Sequence, residues 1–181
     1  MEKIILGIDP GTNVMGFGLI KIENKQMKLI LLDELLLKKY DTHALKLKKI
    51  FERTLMLIDT YHPDEIAIEE PFFGKNVQSM LKLGRAQGVA MAAGLYREIP
   101  ITEYSPKKIK KSITGNGNAS KEQVAGMLQT LLNIKELPKK LDSTDGLAAA
   151  VCHYFNSGTE KSTSNFSGWG AFLKANPNRM K

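Results

Sequence analysis

Four acidic residues in three distant segments are the strongest candidates for chemistry in this sequence of 181 residues. Asp9 and Glu69 each end a short apolar segment, IILGID and EIAIE, and a proline follows each within two residues. Asp142 and Asp145 are three residues apart in DSTDGLAAAV, so on a helix both would face the same side. If the two apolar segments are neighbouring strands, all four carboxylates could converge at one edge of a sheet.

Converging carboxylates repel one another and raise each other's pKa. A hard divalent cation relieves that repulsion, and carboxylate oxygens are the ligands that Mg²⁺ or Mn²⁺ prefers. Two such ions about 4 Å apart can clamp a phosphodiester and activate water for in-line attack. The four acids therefore favour a metal-dependent hydrolase that acts on phosphodiesters.

Each acid also has an ordinary structural explanation. Asp9 could stabilise the turn at Pro10, as acids before Pro-Gly often do. Glu69 could be a solvated loop residue, and Asp142 could cap a helix whose first turn contains Asp145. Taken singly these readings stay open, and it is the combination of all four that favours a site.

The basic residues suggest a polyanionic partner. The chain has 26 Lys and Arg against 19 Asp and Glu, a net charge of +7, and such an excess favours contact with phosphates. The basic residues are concentrated in KKIKK, residues 107–111, and in the last part of the chain. Lys110 and Lys121 lie on either side of the loop GNGNAS, and the helix start after this loop could receive a phosphate. A solvated helix face would explain the same run. The candidate DNA-binding lysines are Lys107, Lys108, Lys110 and Lys121.

Hydrophobic periodicity predicts an α/β fold with a mixed sheet, in which the first three strands form an antiparallel meander. Gly, Pro and Asn mark the connections between the segments. Residues 1–157 are predicted to form one domain, and the Ser- and Asn-rich residues 158–181 a flexible tail. The predicted strands are 4–9, 14–23, 27–39, 65–72 and 99–104, and the predicted helices are about 42–61, 76–97, 105–111, 120–133 and 142–155.

Other function classes find little support. No apolar run approaches the length of a membrane span, and the first residues lack the pattern of a signal peptide. The single cysteine, Cys152, excludes an internal disulfide. We therefore expect a soluble protein of the cytoplasm that does not bind membranes.

Five motifs resemble the RuvC-type Holliday-junction resolvases (crossover junction endodeoxyribonucleases). They are LGIDPGT, AIEEPFFGKN, SMLKLGRAQGVA, GNGNASKEQV and DSTDGLAAAVCH, in this order between about residues 3 and 156. The resemblance implies an RNase H-like fold of the retroviral-integrase superfamily, with a mixed five-stranded sheet flanked by helices. It also implies a bacterial homodimer that makes paired, Mg²⁺-dependent cuts in four-way DNA junctions during recombination and repair. Mn²⁺ is a possible substitute, with one or two ions per subunit, and the implied partner is a branch-migration helicase of the RuvA–RuvB type.

The resemblance also assigns roles to single residues. It places the metal-binding acidic site on Asp9, Glu69, Asp142 and Asp145, and basic residues near the scissile phosphate on Lys110 and Lys121. Phe72, with Phe73 beside it, would meet the bases of the junction, although burial in the core would explain these rings as well. One departure from the family is Gly146, where alanine is usual, and glycine there is expected to loosen the first helical turn.

Small residues in the helix predicted at 76–97 allow another backbone to approach closely. Gly84, Gly88 and Gly94 could pack on the chain's own sheet, which is the commoner use of such residues, or on a second subunit, as the resemblance implies.

Three other functions were weighed. A nuclease of the YqgF type, acting on RNA, would share the I-D-P-G-T motif but lack the long glycine-rich helix. A sugar-kinase or actin-like ATPase would need a second domain of similar size, for which 181 residues leave no room. A DNA-binding module without catalysis would gain nothing from four acids that repel phosphate.

Overall fold

The computed structural model describes residues 2–71, 76–136 and 142–157, and of Asp142 it describes only the backbone. Five strands and five helices are formed within these ranges, which bears out the predicted α/β order. The strands are β1 (Lys3–Asp9), β2 (Val14–Glu23), β3 (Gln26–Leu36), β4 (Glu65–Glu69) and β5 (Ile101–Tyr104). The helices are α1 (His43–Tyr61), α2 (Val77–Tyr96), α3 (Pro106–Thr114), α4 (Lys121–Leu132) and α5 (Asp142–Ser157).

The strands form one mixed sheet in the order β3-β2-β1-β4-β5. β1, β2 and β3 pair antiparallel, whereas β4 runs parallel to both β1 and β5. The predicted antiparallel meander and the mixed five-stranded sheet are therefore confirmed. In the register of β1 and β4, Ile8 lies opposite Ile68, so Asp9 and Glu69 come next on neighbouring strands.

Three strands are shorter than predicted, and one of them, β5, begins at Ile101 rather than at residue 99. β3 ends at Leu36 because the backbone N–H groups of the next two residues, 37 and 38, turn to the carbonyl of Asn13, at N–O distances of 2.8 and 3.2 Å. β4 ends at Glu69 rather than at residue 72. Glu70 N–H still donates to the carbonyl of Tyr104 (2.9 Å), but Pro71 has no N–H to continue the ladder.

Alternation along the strands divides the core between the two faces of the sheet. On β1, Ile5 packs in a cluster with α3, α4 and α5, whereas Leu6 and Ile8 pack in a second cluster with α1 and α2. On β4, Ala67 belongs to the first cluster, and Ile66 and Ile68 to the second. The same alternation places Asp9 and Glu69 on the face that α5 covers.

Glycines allow α5 to lie unusually close to the sheet. A Cβ atom on Gly18 of β2 would lie 2.3 Å from Cα of Leu147, and one on Gly146 would lie 2.7 Å from the carbonyl oxygen of Gly16. Either distance is shorter than a real Cβ contact allows. Gly146, which helix propensity predicts to loosen the first turn of α5, also permits backbone contact between α5 and β2. This contact brings Asp145 up to the ends of β1 and β4.

The predicted starts of α3 and α4 are confirmed. Ser105 Oγ accepts from Lys108 N–H at 3.4 Å, and Pro106 is the first residue of α3. Ser120 and Gln123 form both hydrogen bonds of a capping box at the start of α4. Within the described ranges, the structure contains no helix that is both long enough and apolar enough to cross a membrane.

The small residues of α2 divide into two groups. A Cβ atom on Gly94 would lie 2.7 Å from Cδ1 of Ile66, so this glycine packs against the chain's own sheet. Gly84 and Gly88 face open space, with no atom within 4 Å of the position a Cβ would take. The intramolecular explanation therefore holds for Gly94 but does not extend to the other two.

Candidate active site

A cleft of about 670 Å³ lies where β1, β4 and α5 bring their acidic residues together. Its acidic lining comes from three distant parts of the chain, Asp9, Glu69 and Asp145. Lysines on α3 and α4 form the opposite wall. The other lining residues are Ser105, Pro106, Lys107, Ile109, Lys110, Gly117, Asn118, Lys121, Val124 and Ala148.

The acidity of Glu69 in the cleft is strongly perturbed. Burial raises its pKa, the negative charge of Asp145 raises it further, and the pKa reaches about 7. The positive charges of Lys121 and Lys110 act in the opposite direction but do not outweigh these effects. Glu69 is therefore a carboxyl whose ionised form lacks adequate compensation in the protein alone.

Asp145 forms an ion pair with Lys121, whose ammonium Nζ contacts carboxylate Oδ2. The side chain of Asp145 is 15% exposed and that of Lys121 is 53% exposed. Lys121 is the first residue of α4, held in place by the capping box at Ser120. The more exposed Lys121 thus lies beside Asp145 in the lining of the cleft.

The remaining predicted site residues are placed as follows. Lys107 and Lys110 line the cleft. Lys108 is not among the lining residues, and its ammonium lies 4.9 Å from the centre of the Tyr104 ring. Asp142 begins α5, three residues before Asp145, but its side chain lies outside the described part of the structure, as do Phe72 and Phe73.

The donor set of the cleft fits a hard divalent cation in its chemistry. Its acids are carboxylates, and a cation would remove the repulsion that raises the pKa of Glu69. In the described part of the chain, however, no three acidic, histidine or cysteine side chains already stand close enough together to hold a metal ion.

A partly buried polar network near the cleft gave no signal in the sequence. His153 Nδ1 lies 2.8 Å from the hydroxyl of Tyr104, and His153 Nε2 contacts Oε2 of Glu65. Lys3 Nζ lies 2.6 Å from the same Glu65 oxygen. Burial alone would raise the pKa of Glu65, but the bonds from Lys3 and His153 outweigh it and lower this pKa.

The network joins the elements that carry the acids at their opposite ends. Glu65 begins the strand that ends at Glu69, and His153 lies two turns after Asp145 on α5. Tyr104 directly precedes the cap of α3, and burial is the main cause that raises the pKa of its hydroxyl to about 12. Four residues distant in sequence thereby link β1, β4, β5 and α5.

Known proteins resemble this chain over almost its whole length. The family described as crossover junction endodeoxyribonuclease RuvC matches residues 5–153. A protein of that name from Christiangramia forsetii is 72% identical, over 99% of this chain and 94% of the relative. A second, from Cytophaga hutchinsonii, is 60% identical, over 100% of this chain and 90% of the relative.

A solved structure supports the same grouping. The structure of Thermus thermophilus RuvC in complex with a Holliday junction substrate superposes with a TM-score of 0.79 at 28% identity. The match covers 86% of this chain and 94% of that one. It bears out the predicted RNase H-like fold, and the family match bears out the resemblance drawn from the five motifs. The chain belongs to the RuvC family of crossover junction endodeoxyribonucleases.

Proposed function

We propose that this protein resolves four-way (Holliday) DNA junctions by paired, symmetric, Mg²⁺-dependent hydrolysis of phosphodiester bonds, in homologous recombination and repair. The observation that carries the proposal is the cleft itself. In a chain of this family, three carboxylates from β1, β4 and α5 share one cleft with Lys107, Lys110 and Lys121. Acids that bind a cation and bases that bind phosphate are the two requirements of a metal-dependent nuclease.

In this proposal Asp9, Glu69, Asp142 and Asp145 hold one or two Mg²⁺ ions, with Mn²⁺ as a possible substitute. The bound ion supplies the Lewis acidity that activates water and offsets charge on the phosphate. The protein's own part is to hold the carboxylates in place, and a bound cation would favour the ionised form of Glu69. Its pKa of about 7 without metal means that protons compete with the cation for this residue near neutral pH.

Lys121 is the basic residue best situated to act on the reacting phosphate. Its ammonium lies beside Asp145. A phosphate bound at the acids could replace Asp145 as the partner of this ammonium, which would then stabilise the negative charge of the phosphate. Lys110 and Lys107, on the wall formed by α3, would hold the neighbouring phosphates. Lys108 would serve DNA binding from the edge of this wall, and Phe72 with Phe73 would stack on unpaired bases of the junction.

The proposed assembly is a homodimer, because a junction needs two matched cuts and a two-fold axis supplies them. The exposed start of α2 supports this. Val77 is 69% exposed and Leu81 is 53% exposed, and Gly84 and Gly88 leave open space beside them. The proposal further includes action in the bacterial cytoplasm, cooperation with a RuvA–RuvB type helicase, and a nuclease domain at 1–157 followed by a flexible segment at 158–181.

The test is cleavage of a four-way DNA junction, matched duplex DNA and single-stranded RNA, in Mg²⁺ and in EDTA. We expect paired nicks in the junction alone, only with Mg²⁺, and none with Asp9→Asn. Asp41→Asn makes the same chemical change at an exposed position outside the cleft, and should cut as the wild type does. Cutting that survives Asp9→Asn would refute the assigned site. Cutting of RNA with the junction left intact would indicate a YqgF-type nuclease instead.

A further inference from the structure

Both helices on the face opposite α5 begin at the sheet edge that carries the acids. β3 ends beside the start of β2, where Leu36 pairs with Val14, and α1 follows within seven residues, at His43. α2 follows the end of β4 in the same way, starting at Val77. The amino ends of α1 and α2 therefore lie near the ends of β1 and β4, and helix amino ends carry a partial positive charge.

Four basic side chains lie along the first halves of α1 and α2, and we name His43, Lys46, Lys82 and Arg85 the edge patch. Lys46 Nζ donates to the carbonyl oxygen of Thr12 at 3.2 Å, and Thr12 is three residues past Asp9. Lys82 and Arg85 are exposed and three residues apart, on one side of α2. The edge patch thus adjoins the loop that follows the catalytic strand, on the face opposite the lysines of α3 and α4.

The positive charges of the edge patch are not neutralised within the described residues. There, none of Lys46, Lys82 and Arg85 forms an ion pair with a carboxylate. Basic residues elsewhere in the same ranges commonly do form such pairs. They include Lys3 with Glu65, Lys21 with Glu23, Lys49 with Glu52, Arg53 with Asp33 and Arg97 with Asp59.

His43 shows how crowded this positive charge is. Burial lowers its pKa, and the positive charges of Arg85, Lys82 and Lys46 lower it further. Its Nε2 atom is buried without a hydrogen-bond partner among the described residues. Like charges without counter-charges repel one another and destabilise the free protein. A bound polyanion offsets this repulsion.

We propose that the edge patch binds backbone phosphates of a DNA duplex arm as that arm leaves the catalytic cleft. The ligand class is the phosphodiester backbone, contacted without regard to sequence. A duplex carries one charge per about 1.7 Å of its axis, so an arm at the cleft presents phosphates to both faces of the sheet edge. The duplex arm would contact Lys107, Lys110 and Lys121 on one face of the sheet and the edge patch on the other face. This inference rests on the proposed function, because it takes a junction as the substrate.

The test is the salt dependence of junction binding in EDTA, where no cutting occurs, measured by fluorescence anisotropy. The variant is Lys82→Ala with Arg85→Ala, and the control is Lys48→Ala with Lys49→Ala. The control also removes two positive charges, but from residues of α1 that pair with Glu52 and lie outside the edge patch. The plot of log K against log salt has a negative slope, and each lost phosphate contact reduces the magnitude of this slope by about 0.9. We therefore expect the wild type to lose about tenfold more affinity than the edge-patch variant between 50 and 200 mM salt.

The control should keep the wild-type slope, and a slope unchanged in the edge-patch variant would overturn the inference. A slope lowered equally in both variants would also overturn it, because net charge alone would then explain the change. A third variant, Arg85→Glu, should weaken binding more than alanine does, and circular dichroism verifies that each variant is folded.

The cleavage of junction already bound separates this inference from the proposed function. The edge-patch variant should cut bound junction at the wild-type single-turnover rate in Mg²⁺, since its residues do not line the cleft. If the slope falls as expected but Mg²⁺ produces no cleavage even in the wild type, the proposed function fails and the DNA-binding inference stands. If cleavage is intact but the slope is unchanged in the edge-patch variant, the proposed function stands and the DNA-binding inference fails.

Discussion

Glu69→Gln should stabilise the metal-free protein at alkaline pH while abolishing its cleavage activity. The folded state binds the Glu69 proton more tightly than the unfolded state, with a pKa of about 7 against 4.5. The stability that the proton provides is complete below pH 4.5 and is lost as the pH rises through 7. A difference of one pKa unit corresponds to 1.36 kcal/mol. Ionisation of Glu69 therefore lowers the free energy of unfolding by about 3 kcal/mol at pH 8. Glutamine, with similar shape and no charge, avoids this cost.

The measurement is urea denaturation of both proteins in EDTA at pH 5 and at pH 8. The gain in the free energy of unfolding should be small at pH 5 and approach 3 kcal/mol at pH 8, or about 6–12 °C in Tm. Glu70→Gln is the matched control, since Glu70 is exposed and adjacent, and its effect should be small at both pH values. Mg²⁺ should then stabilise the wild type more than the variant. A variant no more stable than the wild type at pH 8 would refute the argument that burial and Asp145 strain Glu69.

Three further substitutions test the elements that position the cleft, each by urea denaturation alongside junction cleavage. Gly18→Ala places a Cβ atom 2.3 Å from Cα of Leu147, and should cost at least about 1–3 kcal/mol and reduce cleavage as α5 is displaced; full stability would contradict the close packing. Tyr104→Phe leaves Nδ1 of buried His153 without its partner and should cost about 1–3 kcal/mol, and an unchanged free energy would mean that water replaces the hydroxyl. Ser120→Ala removes the cap of α4 and should cost about 1 kcal/mol, a loss that Ser120→Thr should largely avoid.

The position of Asp9 and Glu69 could be predicted because strand alternation and strand ends are local properties of a sequence. Both acids follow short apolar segments, and in the structure both fall on the face that α5 covers. The adjacency of β1 and β4 was a condition of that prediction, since strand pairing depends on contacts between distant segments. The register of the two strands then satisfied the condition.

The features that could not be predicted depend on the directions of single side chains. Lys108 belongs to the same basic run as Lys107 and Lys110, but α3 turns it toward the Tyr104 ring. The role of Gly146 is another example. Helix propensity alone suggests a loose first turn, whereas the packing partner, the Gly16 backbone, becomes known only from the tertiary structure.

The same reasoning explains why tight packing and a polar network lie so close to the acids. Ionised Glu69 and Asp145 repel each other, and that repulsion would push β4 away from α5. Backbone contact at Gly18 holds α5 on the sheet near Asp145, and the Glu65–His153 contact ties the far end of β4 to the same helix. Neither restraint can relax at its own end without disturbing the core, so β4 and α5 keep Glu69 and Asp145 together in the cleft despite their repulsion.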